Sequence, residues 1–256
     1  MHAAESLHWY GRDGSPQYTV KSKDGSLRPA TLRDARKLGL VPSVTNIIRC
    51  AAAPGLERWK LDQMLHAALT LPRKDGEAEK DYISRIWQDS QETAKKAAER
   101  GTAIHAAIQG HFEHVPPSVD MWPHVQGVLH EITTKCGTWA WLPESSFAHP
   151  LGFGGKVDLS CPWGVIDFKT KEFDENTELK TWDEHAMQLA AYRYGLGWEQ
   201  ARGAIVYVSV TNPGLCRLLE IPQDELAKGW RMFYSLLQYW KAKNNFDSAF
   251  ERALAA

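Results

Sequence analysis

The segment Val165-Ile166-Asp167-Phe168-Lys169-Thr170 decides how this chain is read. Its β-branched and aromatic residues predict a strand. Side chains alternate along a strand, so Asp167 and Lys169 share one face while Ile166 and Phe168 share the other. The apolar pair anchors the strand in a core, and the charged pair projects into whatever lies opposite. Just upstream, Gly154-Gly155-Lys156-Val157-Asp158-Leu159 carries the same alternation, with Val157 and Leu159 on one side and Asp158 on the other. Only Ser160 to Gly164 separates the two runs. That spacing predicts a hairpin and brings Asp158 and Asp167 close together.

Two adjacent carboxylates repel unless protons or a cation separate them. Oxygen ligands suit Mg²⁺ or Mn²⁺, and such an ion neutralises charge on a phosphate and acidifies water. Lys169 would then position an attacking water or stabilise developing negative charge. The alternative is an ordinary ion pair between Asp167 and Lys169 on a wet sheet face. The triplet alone decides little, because about two acid-x-Lys triplets arise by chance in a chain of this length and ordinary composition. Glu178-Leu179-Lys180 is one of them, in a polar loop.

Downstream, Glu184 to Leu196 predicts a helix on which Gln188 and Tyr192, four residues apart, share a face. Ala204–Val210 and Leu215–Ile221 follow as strands around Thr211-Asn212-Pro213-Gly214, and Asp224 to Lys243 closes as an amphipathic helix. Upstream, Thr138 to Phe147 predicts the strand before the hairpin. Helical patterns cover about Leu56–Leu69, Lys80–Phe112 (with Gly101 as a break) and Met121–Thr134. Near the start, Trp9–Val20 predicts a hairpin around Asp13-Gly14, and Asp24-Gly25 marks a further turn. A short helix follows from Thr31 to Leu38, opened by Thr31 as cap. The order is helices, three strands, a helix, two strands and a helix, which is α/β or α+β with a mixed sheet flanked by helices.

The 256 residues, 43% hydrophobic and 24% charged, fit one soluble globular domain. We expect residues 1–137 to form an N-terminal hairpin and helical region, and residues 138–246 the β-sheet core. A formal net charge of −1 argues against a protein that coats duplex DNA. Any nucleic-acid contact must come from a local patch, such as Lys95, Lys96 and Arg100, or from the metal site. No apolar run reaches membrane-spanning length, and Met1 to Tyr10 shows no secretory signal. The four cysteines are far apart, with no C-x-x-C pair, as in a reducing compartment.

Gly101-x-x-x-His105, Glu144, Gly155-x-x-Asp158, Asp167-x-Lys169 and Gln188-x-x-x-Tyr192 occur in the order seen in RecB-like nucleases of the PD-(D/E)XK superfamily. The chain resembles that family from about Arg100 to Gly195. Pro42-Ser43-Val44-Thr45 is similar to a motif of its single-strand exonucleases, a group that includes the mitochondrial genome maintenance exonuclease and phage and bacterial relatives. The resemblance implies a restriction-endonuclease-like mixed sheet with an N-terminal helical elaboration. It implies one or two Mg²⁺ or Mn²⁺ ions held by His105, Asp158, Asp167 and the backbone carbonyl of Phe168, with Glu144 and Lys169 completing the catalytic set. Gln188, Tyr192, Ser43 and Thr45 would contact substrate. The implied activity is a deoxyribonuclease, more an exonuclease than an endonuclease, on DNA that is single-stranded or has free ends. It would work in the cytoplasm of a bacterium or phage-infected host, alone, as a homo-oligomer or with a recombination or repair partner. Some relatives carry an iron–sulfur cluster, but Cys50, Cys136, Cys161 and Cys216 do not follow that layout, so no cluster is expected. The competing reading is a catalytically inactive nuclease fold that binds nucleic acid or protein.

Overall fold

The computed structural model describes residues 8–51 and 54–246. Most of the stretch read for a secretory signal, residues 1–7, lies outside the described residues. The chain packs as two compact units, Met1–Ala51 with Ala107–Ala256, and Ala52–Ala106.

The larger unit is built on a five-stranded mixed sheet. Its strands are β5 (Leu142–His149), β6 (Phe153–Cys161), β7 (Gly164–Lys171), β8 (Arg202–Ser209) and β9 (Cys216–Ile221), in that spatial order. β7 and β8 are parallel and the other neighbours antiparallel. Parallel neighbours need a long crossover, supplied here by helix α6 (Asp183–Gly195), which packs against β6, β7 and β8. Helix α7 (Gln223–Asn244) lies on α6. Side chains in β7 and β8 are buried at successive positions, so both faces of the central strands are covered. Helix α5 (Trp122–Cys136) runs along β9 and β8. There Glu131 accepts the Leu218 N–H at 2.7 Å and Lys135 Nζ donates to the Leu218 carbonyl at 2.9 Å. These contacts satisfy backbone groups that an edge strand leaves open.

The first residues belong with this sheet. β1 (Trp9–Tyr10) pairs with β4 (Val41–Pro42), and β2 (Thr19–Lys21) with β3 (Leu27–Pro29). The early hairpin therefore turns at Asp24-Gly25. The Asp13-Gly14 turn closes only a single bridge, Tyr10 to Pro16, because Trp9-Tyr10 takes β4 as its ladder partner. Helix α1 (Leu32–Leu38) starts at Thr31, whose side chain and that of Asp34 form a reciprocal capping box. The five-residue helix α2 (Val44–Ile48) starts at Ser43. β5 begins at Leu142, later than the alternation from Thr138 predicts, and Trp139 and Trp141 precede it.

The smaller unit holds α3 (Pro54–Thr70) and most of α4 (Glu79–Phe112), a 34-residue helix that runs unbroken through Gly101. The boundary between the units falls inside α4. Tyr82 donates to the Leu71 carbonyl at 2.8 Å and Arg85 grips Glu77 through two nitrogens, fixing the α3–α4 connection. Lys95 and Lys96 are paired along the helix with Glu99 and Glu92. Among the described residues no helix is long and apolar enough to cross a membrane.

Candidate active site

β6 and β7 pair at Cys161–Gly164, Ser160–Val165 and Leu159–Ile166, and there the ladder stops. One step further in the same register sets Asp158 against Asp167. At this point Asp158 Oδ2 accepts the Phe168 N–H at 2.7 Å, so a side chain takes the place of a ladder bond. Beyond it β6 continues against β5 and β7 continues against β8. The two carboxylates stand where the strands divide.

Helix α6 closes over them. Gln188 Nε2 donates to Asp167 Oδ1 at 2.7 Å and to Tyr192 Oη at 2.9 Å, and Gln188 Oε1 accepts from Lys169 Nζ at 3.1 Å. The orientation of the amide follows from chemistry: an ammonium only donates and a carboxylate only accepts. Lys169 Nζ also lies 2.7 Å from Asp167 Oδ2. That charge contact is not aligned as a hydrogen bond, so the buried Oδ2 has no hydrogen-bond donor. Asp167, Gln188 and Tyr192 are buried, and Lys169 is half-buried.

The charges act on one another. Burial, then repulsion from Asp167, pushes the Asp158 pKa up to about 7; the Phe168 N–H and Lys169 offset this only in part. Burial works against the Lys169 ammonium, but Asp167 and Asp158 outweigh it, and its pKa stands above the ordinary lysine value. Tyr192 is held far above the ordinary phenol value by burial and by the same two carboxylates, so it is a neutral phenol. Burial and then Lys169 push His185 down to about 4. Its imidazole is neutral, with Nδ1 accepting the Trp182 N–H at 3.1 Å.

Glu144 occupies the β5 position opposite Asp158, where the pairing skips from Pro143–Leu159 to Ser145–Val157. Its backbone is left-handed, with φ of 54°. Its carboxylate makes an ion pair with Lys156, the residue two before Asp158 and on the same face of β6. Ser43 is buried as the cap of α2, its Oγ accepting the Asn46 N–H at 3.1 Å and lying 3.1 Å from Thr45 Oγ1. Ser43 and Thr45 line a cleft of about 320 Å³ together with Arg49, Lys156 and Tyr192. Gly154 and Gly155 permit the close approach here. A Cβ at Gly154 would stand 2.8 Å from Tyr10, and one at Gly155 would stand 3.0 Å from the Tyr192 ring. His105 is part of the smaller unit, half-buried on α4 beside the buried Ile104.

A larger hollow of about 670 Å³ lies at the start of β7 and β8, between Trp163 and Arg202, and none of the residues above lines it. Among the described residues, no three His, Cys, Asp or Glu side chains gather as a metal-ligand group. The donor set at the strand fork is two carboxylates, one with a buried oxygen whose partner is the Lys169 ammonium. It fits a hard divalent cation whose remaining ligands are water and substrate oxygens. All four cysteines are free thiols.

No family model matches the chain, and neither does any curated protein. Among solved structures, the crystal structure of SSO0001 matches with 16% identity, covering 72% of this chain and 86% of that one, at a TM-score of 0.28. A superposition so loose says nothing about how either molecule works.

Of the residues singled out in the sequence, Asp158, Asp167, Lys169, Gln188 and Tyr192 form one connected group. Glu144 stands beside it through Lys156, and Ser43 and Thr45 line the adjoining cleft. The sequence assigns no role to Lys156 and reads His185 as an ordinary packed or solvated histidine, although a signal for each is present. Lys156 is two residues from Asp158 on a strand, and His185 is three residues from Gln188 on a helix.

Proposed function

We propose that this chain is a metal-dependent nuclease that hydrolyses DNA phosphodiester bonds. We read it as an exonuclease on single-stranded or end-containing DNA, with the five-stranded sheet as a restriction-endonuclease-like core. The observation that carries this reading is the group at the strand fork: Asp158 and Asp167 side by side, with the Lys169 ammonium 2.7 Å from Asp167 and held by Gln188. A sheet does not set a half-buried and a buried carboxylate side by side for stability, since their repulsion raises the cost of ionising both.

Asp158 and Asp167 would hold Mg²⁺ or Mn²⁺, with the Phe168 carbonyl as a further ligand implied by the family resemblance. When bound, the ion neutralises charge on the phosphate and acidifies water. Asp167 and Asp158 favour the ammonium form of Lys169. Its part is to place a positive charge and a donor where negative charge grows on the phosphate oxygens. Gln188 fixes that placement by gripping Asp167 and Lys169 at once, and Tyr192 in turn fixes Gln188. Ser43 and Thr45 are read as phosphate contacts.

A second reading, an inactive nuclease fold that binds nucleic acid or protein, draws on one observation: among the described residues no third His, Cys, Asp or Glu joins Asp158 and Asp167 as a metal-ligand group. One experiment separates the two. The protein and its Asp167→Asn variant are incubated with 5′-labelled and 3′-labelled single-stranded DNA in Mg²⁺, Mn²⁺ or EDTA. Metal-dependent cleavage lost in the variant supports the nuclease, and the label pattern gives its polarity. Folded protein that cleaves no single-stranded, duplex or RNA substrate supports the binding module.

A further inference from the structure

His185 lies on α6 three residues before Gln188, so the two share the helix face that covers the fork. It meets the sheet beside Lys169. In the parallel ladder of β7 and β8, Lys169 is the register partner of Tyr207, so their side chains stand next to each other on one face. The His185 ring meets the Tyr207 ring edge to face, with 6.2 Å between centroids. Tyr207 is buried, and its hydroxyl donates to the Lys180 carbonyl at 2.8 Å. The imidazole therefore stands next to Lys169, about one helical turn from the amide that grips Asp167.

The two ring nitrogens have different tasks. Nδ1 accepts the Trp182 N–H, so in the neutral ring the proton is on Nε2. Nε2 lies across the ring from Nδ1 and points away from the backbone at the start of α6. Among the described residues it has no hydrogen-bond acceptor. His185 is only 7% exposed, and a donor with so little water around it costs stability when left unmatched. Burial and then the Lys169 ammonium keep the ring neutral. The same ammonium repels a cation and favours an acceptor that carries negative charge. A phosphate oxygen on a strand lying over Lys169 is such an acceptor.

We propose that His185 contacts the substrate: its Nε2–H donates to a non-bridging oxygen of the phosphate that Lys169 faces, so a neutral donor and an ammonium hold one group. A preset, uncharged donor adds stabilisation as negative charge grows on that oxygen, without repelling Lys169. Tyr192, which lines the cleft with Ser43 and Thr45, is about two turns further along α6. The His185 contact is thus separate from the one read for that cleft. The inference rests on the nuclease reading.

Two variants separate a substrate donor from a support for the helix. His185→Asn keeps an acceptor for the Trp182 N–H and has no donor where Nε2 stands. His185→Gln carries an amide nitrogen close to that position. Both are checked for folding by circular dichroism and assayed on single-stranded DNA in Mg²⁺. In His185→Asn, kcat should fall at least tenfold with KM little changed, and His185→Gln should recover most of the loss. The reverse order, or activity equal to the parent in both, overturns the proposal. A second readout needs no cleavage. The Nε2–H resonance of ¹⁵N-histidine-labelled protein, identified by its loss in His185→Asn, is followed as a short oligothymidylate is added in Ca²⁺ or EDTA, with the strand checked to be intact. It should move downfield as the oligonucleotide saturates the protein. No binding by folded protein, or binding with the resonance unmoved, overturns the proposal. Cleavage with an unmoved resonance removes this contact and leaves the nuclease reading; a resonance that moves on protein that cuts nothing does the reverse.

Discussion

Asp158 and Asp167 occupy the first register position at which β6 and β7 no longer pair. Burial and the neighbouring Asp167 raise the Asp158 pKa from 3.8 to about 7, so the fold favours its protonated form. The stability this group contributes is fully present below about pH 4 and is lost as pH rises through 7. Melting temperatures measured from pH 4 to 8 should therefore fall less steeply in Asp158→Asn than in the parent. Added Mg²⁺ should raise the melting temperature of the parent more at pH 8 than at pH 5. Parallel pH profiles for the two proteins would refute this account of Asp158.

Gln188 joins three partners, so its loss should be felt beyond its size. Gln188→Ala leaves Asp167 Oδ1 buried without its donor, at a cost of about 1–3 kcal/mol. Cleavage should drop by at least tenfold, because Lys169 and Tyr192 lose their common anchor. Gln188→Glu sets a carboxylate against Asp167 and should be markedly less stable at pH 8 than at pH 5. Urea unfolding at the two pH values tests this, and equal stability at both would show that Gln188 does not touch a charged Asp167.

Lys169 and Asp167 should be strongly non-additive. Lys169→Met leaves a buried carboxylate without its cation and destabilises the fold, whereas adding Asp167→Asn removes the charge that needed compensating. The double variant should be more stable than Lys169→Met alone, with a coupling of about 0.5–3 kcal/mol from a double-mutant cycle. Simple additivity would mean that the 2.7 Å contact carries no energy.

The end of α6 rests directly on β5. A Cβ at Gly195 would stand 1.9 Å from the buried Phe147 ring. Gly195→Ala should cost about 1–3 kcal/mol by overpacking, and Phe147→Leu should restore part of it. An unchanged melting temperature in Gly195→Ala would count against this packing.

The heart of the site is legible because it lies in local patterns. Alternation puts Asp167 and Lys169 on one face, and helical spacing puts Gln188 and Tyr192 on another, and a short connection makes the two faces meet. What escapes depends on segments far apart in sequence. Trp9-Tyr10 chooses β4 over the nearer partner offered by the Asp13-Gly14 turn, because the ladder is decided by tertiary packing that no turn signal encodes. Arg49 and Tyr18 line one cleft for the same reason. Ser43, expected to contact substrate, also caps α2 through its hydroxyl, a structural role not read from the sequence. The left-handed Glu144 has no sequence signature, since non-glycine residues seldom adopt that backbone.

The capping of Leu218 by Glu131 and Lys135 bears on how molecules of this protein meet one another while folding. Parallel pairing of β7 with β8 closes a long connection through α6, and such non-local pairings form slowly. During that wait, bare strands invite recruitment by neighbouring chains. At the β9 end, α5 occupies the groups a foreign strand would need. At the β5 end, Pro143 lacks an N–H and Glu144 takes a left-handed backbone, skipping one pair without changing the register. The sheet is thus guarded at both margins against growing into its neighbours, by helix side chains on one side and by a proline and a left-handed residue on the other.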